Sequence, residues 1–208
     1  MRLTEISSNR AHGFAGAGLV MTLWLTPVFA AVNTGTDEEA RLPYWEIVDR
    51  GVSIRLVQRL PDQTRGFFQA RGFSEADAEL IAQSCVFQTV FKNISQLSDP
   101  GPVEYDLRDW VVHAAGRPRA MKTREDWSKV WAARRAPKPA RLAFEWALFP
   151  TRQTYRPGDY NWGMSVFDLR PGTVFDLDVV WRQYGKTHTV RLEGMQCAPD
   201  IHPGPESR

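Results

Sequence analysis

Histidine is scarce in this chain of 208 residues. There are four, and only His113, His188 and His202 lie beyond the first thirty positions. Chemistry that needs an imidazole base is confined to those three. No G-x-S-x-G elbow, H-E-x-x-H pair or Gly-rich phosphate loop occurs, so the common marks of serine hydrolases, zinc peptidases and nucleotide enzymes are missing. Charge of one sign is not in excess either. The net charge of +2 is far from the basic surplus of a nucleic-acid-binding domain, and no nucleic-acid partner is expected. Cysteine is limited to Cys85 and Cys197, with no C-x-x-C motif, which argues against a redox-active pair. Long apolar runs are absent beyond the N-terminus, where Gly13–Leu25 carries no charge; spanning a bilayer takes roughly 20 residues.

What is present starts with that N-terminus. Arg2 and Arg10 precede the apolar run, Pro27 breaks it, and Val28-Phe29-Ala30 supplies small residues at the junction. This is the three-part plan of a secretory signal. Residues 1–30 are therefore expected to direct export, with cleavage near Ala30 or Ala31 and a periplasmic mature chain. The alternative is an inner-membrane protein held by an uncleaved N-terminal segment. In an oxidising compartment the two cysteines are expected to form one structural disulfide. Its rivals are two buried thiols, or a metal-binding or nucleophilic role for one of them.

Residues 31–43 are small and polar and are expected to be a linker. Val52, Ile54 and Leu56 alternate with Ser53, Arg55 and Val57, which predicts a strand. Pro61 suits the first position of a helix and Gly72 its stop. Ser74 with Asp77 suits a second helix start, with Ile81, Cys85 and Gln88 near one stripe, so residues 61–94 are predicted to form a helical hairpin. Ser98–Pro102 is a break, followed by a strand through Val103, Tyr105 and Leu107. Thr123 with Asp126 predicts another helix, whose stripe is Trp127, Val130 and Trp131, ending at Ala136–Pro139. From Leu142 onward the pattern turns to strands, with Leu142, Phe144, Trp146 and Leu148 sharing one face. Tyr160 to Val166, Phe175 to Trp181, and Val190 with Leu192 continue it. Tyr155-x-Pro157-Gly158-Asp159 is similar to the turn before a strand in many extracellular β-sandwich modules.

The expected fold is α+β: an N-terminal helical hairpin unit packed on a C-terminal antiparallel β-sandwich of immunoglobulin-like kind. The expected units are 44–140, mainly helical, and 141–198, the sandwich, with 199–208 a mobile tail. The Cys85–Cys197 link would join the two.

Four groups of residues bear on function. His188, Met195, Cys197 and His202 combine sulfur and imidazole donors that favour Cu(I), although a disulfide would remove Cys197 and a mobile tail would carry His202. Asp168, Asp176 and Asp178 offer oxygen ligands or carboxylates for hydrolysis; the bland counterpart is the wet face of a strand. Arg117, Arg119, Lys122, Arg124, Lys129, Arg134, Arg135, Lys138 and Arg141 make nine cations against only Glu125 and Asp126. With Trp127 and Trp131 on one helix side, that segment could lie on an anionic membrane surface or dock an envelope protein, or it could simply bury its tryptophans. Tyr155, Tyr160 and Trp162 would stack on sugars if exposed. By elimination the chain is expected to be an exported, non-catalytic binding or assembly protein that contacts another envelope component, with no cofactor. The alternatives are copper handling, a hydrolase, or a carbohydrate-binding module.

Overall fold

The structure is a computed structural model that describes residues 30–96 and 101–201. Residues 1–29 of the expected leader, most of the expected break at 98–102, and His202 lie outside those residues.

The described chain opens with a meander of β1 (Ala31–Thr36), β2 (Pro43–Asp49) and β3 (Val52–Gln58). In β3, Val52, Ile54 and Leu56 are fully buried while Ser53 and Arg55 lie on the opposite face, as a period of two requires. Two helices follow, α1 (Pro61–Gln69) and α2 (Glu75–Ala82). Pro61 occupies the first helical position, where a missing N–H is harmless, and the Ser74 side chain accepts the Asp77 N–H to cap α2. The chain returns antiparallel to β3 as β4 (Val86–Asn93). Next come β5 (Val103–Asp106), a 3-10 turn, β6 (Val111–Ala114) and β7 (Arg117–Ala120). Helices α3 (Arg124–Ala133) and α4 (Lys138–Ala147) precede β8 (Arg152–Tyr155), β9 (Tyr160–Val166), β10 (Val174–Gln183) and β11 (Lys186–Gln196).

Two antiparallel sheets result. The first has the order β1-β2-β3-β4-β9. The second is centred on β10, which pairs with β11 along one edge and with β6 and β5 along the other; β7 and β8 flank those. One core lies between the sheets. Ile47, Ile54, Phe87 and Phe91 enter it from the first sheet, and Trp110, Val112, Leu177, Trp181 and Leu192 from the second side. The Trp110 indole N–H, which burial would otherwise leave unpaired, donates to the Val180 carbonyl at 2.9 Å.

A second apolar cluster sits on the other side of the first sheet. Phe68, Ile81, Trp127, Trp131 and Phe144 from the four helices, with Phe73 from the α1–α2 turn, pack with Val86 of β4 and with Met164 and Val166 of β9. Phe87 and Phe91 point to the first core, so Val86 must point away from it, toward the helices. The disulfide between Cys85 and Cys197, with Cα atoms 5.2 Å apart, ties the turn after α2 to the end of β11. Closing a loop over a separation of 112 residues contributes about 4–5 kcal/mol in the chain-entropy account.

The fold is thus α+β with two antiparallel sheets, but several local expectations are corrected. The helical hairpin does not run to residue 94. It stops at Ala82, Cys85 turns the chain at φ 55°, and 86–93 is a strand, because Phe87, Thr89 and Phe91 alternate inward. The expected strand at 142–148 is helix α4. The expected linker at 31–43 contains β1, paired residue for residue with β2. Helix α4 runs on to Ala147, past the expected end of the mainly helical unit at 140, and α1 and α2 share a cluster with α3 and α4. Asp200, in the segment expected to be mobile, accepts hydrogen bonds from Arg65 and Gln83. Among the described residues no helix is long and apolar enough to cross a membrane.

Candidate functional site

The nine cations between 117 and 141 fall on β7, α3 and α4 and the turns that join them. Helix α3 starts where the sequence indicates. Thr123 accepts the Asp126 N–H, and the Asp126 carboxylate accepts the Thr123 N–H and hydroxyl in return. Its tryptophans are core. Trp127 and Trp131 are 0% and 1% exposed, their rings stack at 5.3 Å, and Trp131 also meets Phe73 and Phe144 edge-on. The aromatic side of α3 is therefore unavailable to any partner.

Most of the cations are occupied within the fold. Lys122 sits 3.9 Å over the Trp127 ring and 3.4 Å from the Asp168 carboxylate. Arg119 donates to the Asp168 carbonyl, Lys129 pairs with Asp126 one turn away, and Arg124 approaches Glu125 at 3.6 Å. Arg134 holds the buried Asp77 of α2. Among the described residues no ion pair engages Arg117, Arg135, Lys138 or Arg141.

Helix α4 carries the feature that the sequence reading missed. Its buried side is Ala140 and Phe144, leading into Leu148. On the opposite side Leu142 and Trp146 are 47% and 80% exposed. They follow Lys138 at intervals of four, so the three form one stripe along the helix. Beside the stripe lies a cleft of about 220 Å³ between α3 and α4, lined by Arg124, Lys138, Arg141, Leu142 and Glu145. Three cations and one carboxylate border it. The signal that would have found this stripe is the spacing of four from Lys138 to Leu142 to Trp146, which is a helix spacing.

A tight crossing fixes α4 against the sheet. Leu148 bridges Met164 in parallel, and the Phe149 N–H donates to the Met164 carbonyl at 2.9 Å. A Cβ on Gly163 would lie 2.5 Å from the Phe149 nitrogen, so only glycine permits this approach. On β9 itself, Tyr160 and Trp162 are 65% and 62% exposed. They stand opposite Lys92 and Val90 of β4, on the side of the sheet that bears Met164. Arg55 stacks over Tyr44 at 3.7 Å farther across this sheet. Tyr155 is buried and stacks on Phe91.

The described members of the expected metal-ligand set, His188, Met195 and Cys197, are not gathered. Cys197 is bonded to Cys85. Met195 is fully buried in the core between the sheets. His188 stacks on Trp181 and takes a hydrogen-bonding position 3.0 Å from Arg50. Among the described residues no group of three or more His, Cys, Asp or Glu side chains is placed to hold a metal ion. The acidic residues are likewise dispersed. Asp178 accepts from both Nε and Nη2 of Arg191 and contacts His113 at 2.7 Å. Those contacts, Arg191 first, hold its carboxyl below the usual carboxylate range against the opposing effect of burial. Asp176 accepts the Gly194 N–H, and Asp168 faces Lys122.

Comparison with known proteins finds no matching family model, no matching curated protein and no matching solved structure.

Proposed function

We propose that this is an exported, non-catalytic envelope-binding protein whose α4 face docks on an anionic membrane surface. One observation carries the reading: Trp146 is 80% exposed one turn from exposed Leu142, and Leu142 shares a cleft with Lys138 and Arg141. An apolar stripe with a cationic border suits the interface of an anionic bilayer, where tryptophan and leucine enter the headgroup boundary and lysine and arginine meet the phosphates. The leader pattern and the single disulfide support an oxidising compartment, reached by export with cleavage near Ala30. The sandwich acts as an immunoglobulin-like scaffold, carrying contact groups on an outer face and at its ends.

Co-sedimentation with phosphatidylglycerol vesicles, against neutral phosphatidylcholine vesicles, tests this. The protein should pellet with the anionic vesicles at low salt and be released as the screening length falls from about 30 Å at 0.01 M to about 3 Å at 1 M ionic strength. Charge reversal at Arg135 and Lys138, both exposed, should weaken the association. Absence of binding at low salt overturns the membrane reading. Capture of an envelope protein that depends on Trp146, without vesicle binding, would replace the membrane by a protein partner.

A second reading rests on Tyr160 and Trp162. Two exposed rings, two residues apart on one strand face, form a platform on which sugar rings stack. Retardation of the protein in gels containing polysaccharide, lost on Trp162→Ala, would favour it.

A further inference from the structure

A cleft of about 1070 Å³ lies at one end of the two packed sheets, remote in sequence from α4. Two tight hairpins form its walls, one from each sheet. The β2–β3 turn places Arg50 and Gly51 at φ 43° and 78°, and the β10–β11 turn places Tyr184 and Gly185 at φ 52° and 69°. Such turns favour asparagine or glycine at both positions, and an L-residue in the left-handed region costs about 1–2 kcal/mol. Arginine at the first position is therefore a poor choice for the turn itself. Its effect is to present a guanidinium to the cleft. The end of β4 closes the floor. The Ile94 N–H donates to the Gly51 carbonyl at 2.7 Å, and Gln183, 4% exposed, donates to Ser95 Oγ at 3.2 Å.

Arg50 is held by one end only. Its Nη1 donates to Asp49 Oδ2 at 3.3 Å and to His188 Nδ1 at 3.0 Å. Asp49 is a buried carboxylate with its side chain 2% exposed, set behind the arginine, and it acts as a positioning residue. Among the described residues Nε and Nη2 of Arg50 have no partner, and the side chain is 52% exposed. A guanidinium can only donate, so His188 Nδ1 must be an acceptor and its proton resides on Nε2. Burial first, and then Arg50, hold this imidazole below its usual range, in keeping with a neutral ring. Arg50 and Lys186 are the only charged residues among the described lining.

We propose that this cleft is a binding site for a small ligand bearing a carboxylate or phosphate group. Arg50 is the anchor, through the fork of Nε and Nη2 that matches two oxygens of such a group. Lys186 supplies a second positive charge, and Gln183 with Ser95 sets the depth of the floor. The size lies at the upper end of small-molecule sites, which run to about 1,000 Å³, so the ligand is a molecule with a polar body rather than a bare ion. This site is separate from the membrane-facing stripe and stands or falls without it.

The test is titration of the folded protein with inorganic phosphate and with succinate, following the His188 ring resonances by NMR. A saturable shift with at least one probe is expected. Arg50→Gln should weaken it at least about tenfold, the equivalent of one charge-assisted contact. Arg50→Gln also leaves Asp49 without its cation, so exposed Lys186→Gln provides the second variant and should weaken binding several-fold with stability unchanged. Lys138→Gln on α4 should leave binding as in the wild type. No saturable shift with either probe overturns the proposal. Equal weakening by Lys186→Gln and Lys138→Gln also overturns it, because the attraction would then be that of general charge.

Discussion

Helices α3 and α4 are neighbours of ten residues each, both carry cations, and each has two large apolar residues four apart. Their fates are opposite. Trp127 and Trp131 vanish into the core, whereas Leu142 and Trp146 face water. The difference lies in how many apolar stripes each helix owns. On α3 the stripe of Trp127, Val130 and Trp131 is the only one, and folding buries it. On α4 the Ala140–Phe144 side already meets the core, so Leu142 and Trp146 form a surplus stripe on the far side. Leaving a large apolar side chain in water forgoes burial worth about 1.5–3 kcal/mol. That free energy is available to whatever covers α4, which is why the proposed contact surface is placed there.

The largest expected effect separates the helices by stability. Trp131→Ala should cost about 3–5 kcal/mol, as for other buried aromatic truncations, while Trp146→Ala should stay within about 0.5 kcal/mol. Urea unfolding measures both, and similar losses would erase the distinction between them. A smaller contrast concerns cations. Arg134→Ala strips Asp77, which is 7% exposed, of its partner and should cost about 1–3 kcal/mol. Lys138→Ala, which breaks no ion pair among the described residues, should leave the unfolding midpoint close to that of the wild type.

The smallest contrast is at the caps. Thr123→Ala should cost about 1 kcal/mol at neutral pH, and the cost should shrink in acid. The Thr123 hydrogen bond, helped by Lys129 and opposed by burial, holds the Asp126 carboxyl below its ordinary value of 3.8. A lowered folded value means that the cap contributes fully above the ordinary value and is lost as pH falls through the lowered one. The gap between wild type and Thr123→Ala should therefore narrow across that window in pH-dependent unfolding. Helix α4 has no acidic residue in its first turn and no side-chain cap, so it adds nothing to this acid loss.

The same pair of helices shows what was legible in the sequence. The start of α3 could be read because Thr123 and Asp126 satisfy backbone groups that any helix leaves open. The strand through Phe175, Leu177, Val179 and Trp181 could be read because one face is wet and the other dry. Cys85 and Cys197 could be paired because no third cysteine competes. Helix α4 could not be read this way, since Leu142, Phe144, Trp146 and Leu148 alternate like a strand. In a helix, residues two apart differ by about 200° and residues four apart by about 40°. The four residues therefore split into Phe144 and Leu148 inside and Leu142 and Trp146 outside. Misreading the period hid the exposed pair. Strand β1 gives no signal for a related reason: it is exposed along its whole length, so it carries no alternation. The cleft beside Arg50 depends on two hairpins far apart in sequence, and no local pattern announces it.

The most direct test of the α4 face is the affinity of a Leu142→Ser/Trp146→Ser double variant for phosphatidylglycerol vesicles, compared with wild type at low salt after both are shown to unfold at the same urea concentration. The account predicts a loss of at least about tenfold, the effect of removing 1.4 kcal/mol or more of apolar contact. Wild-type affinity in the double variant would contradict it.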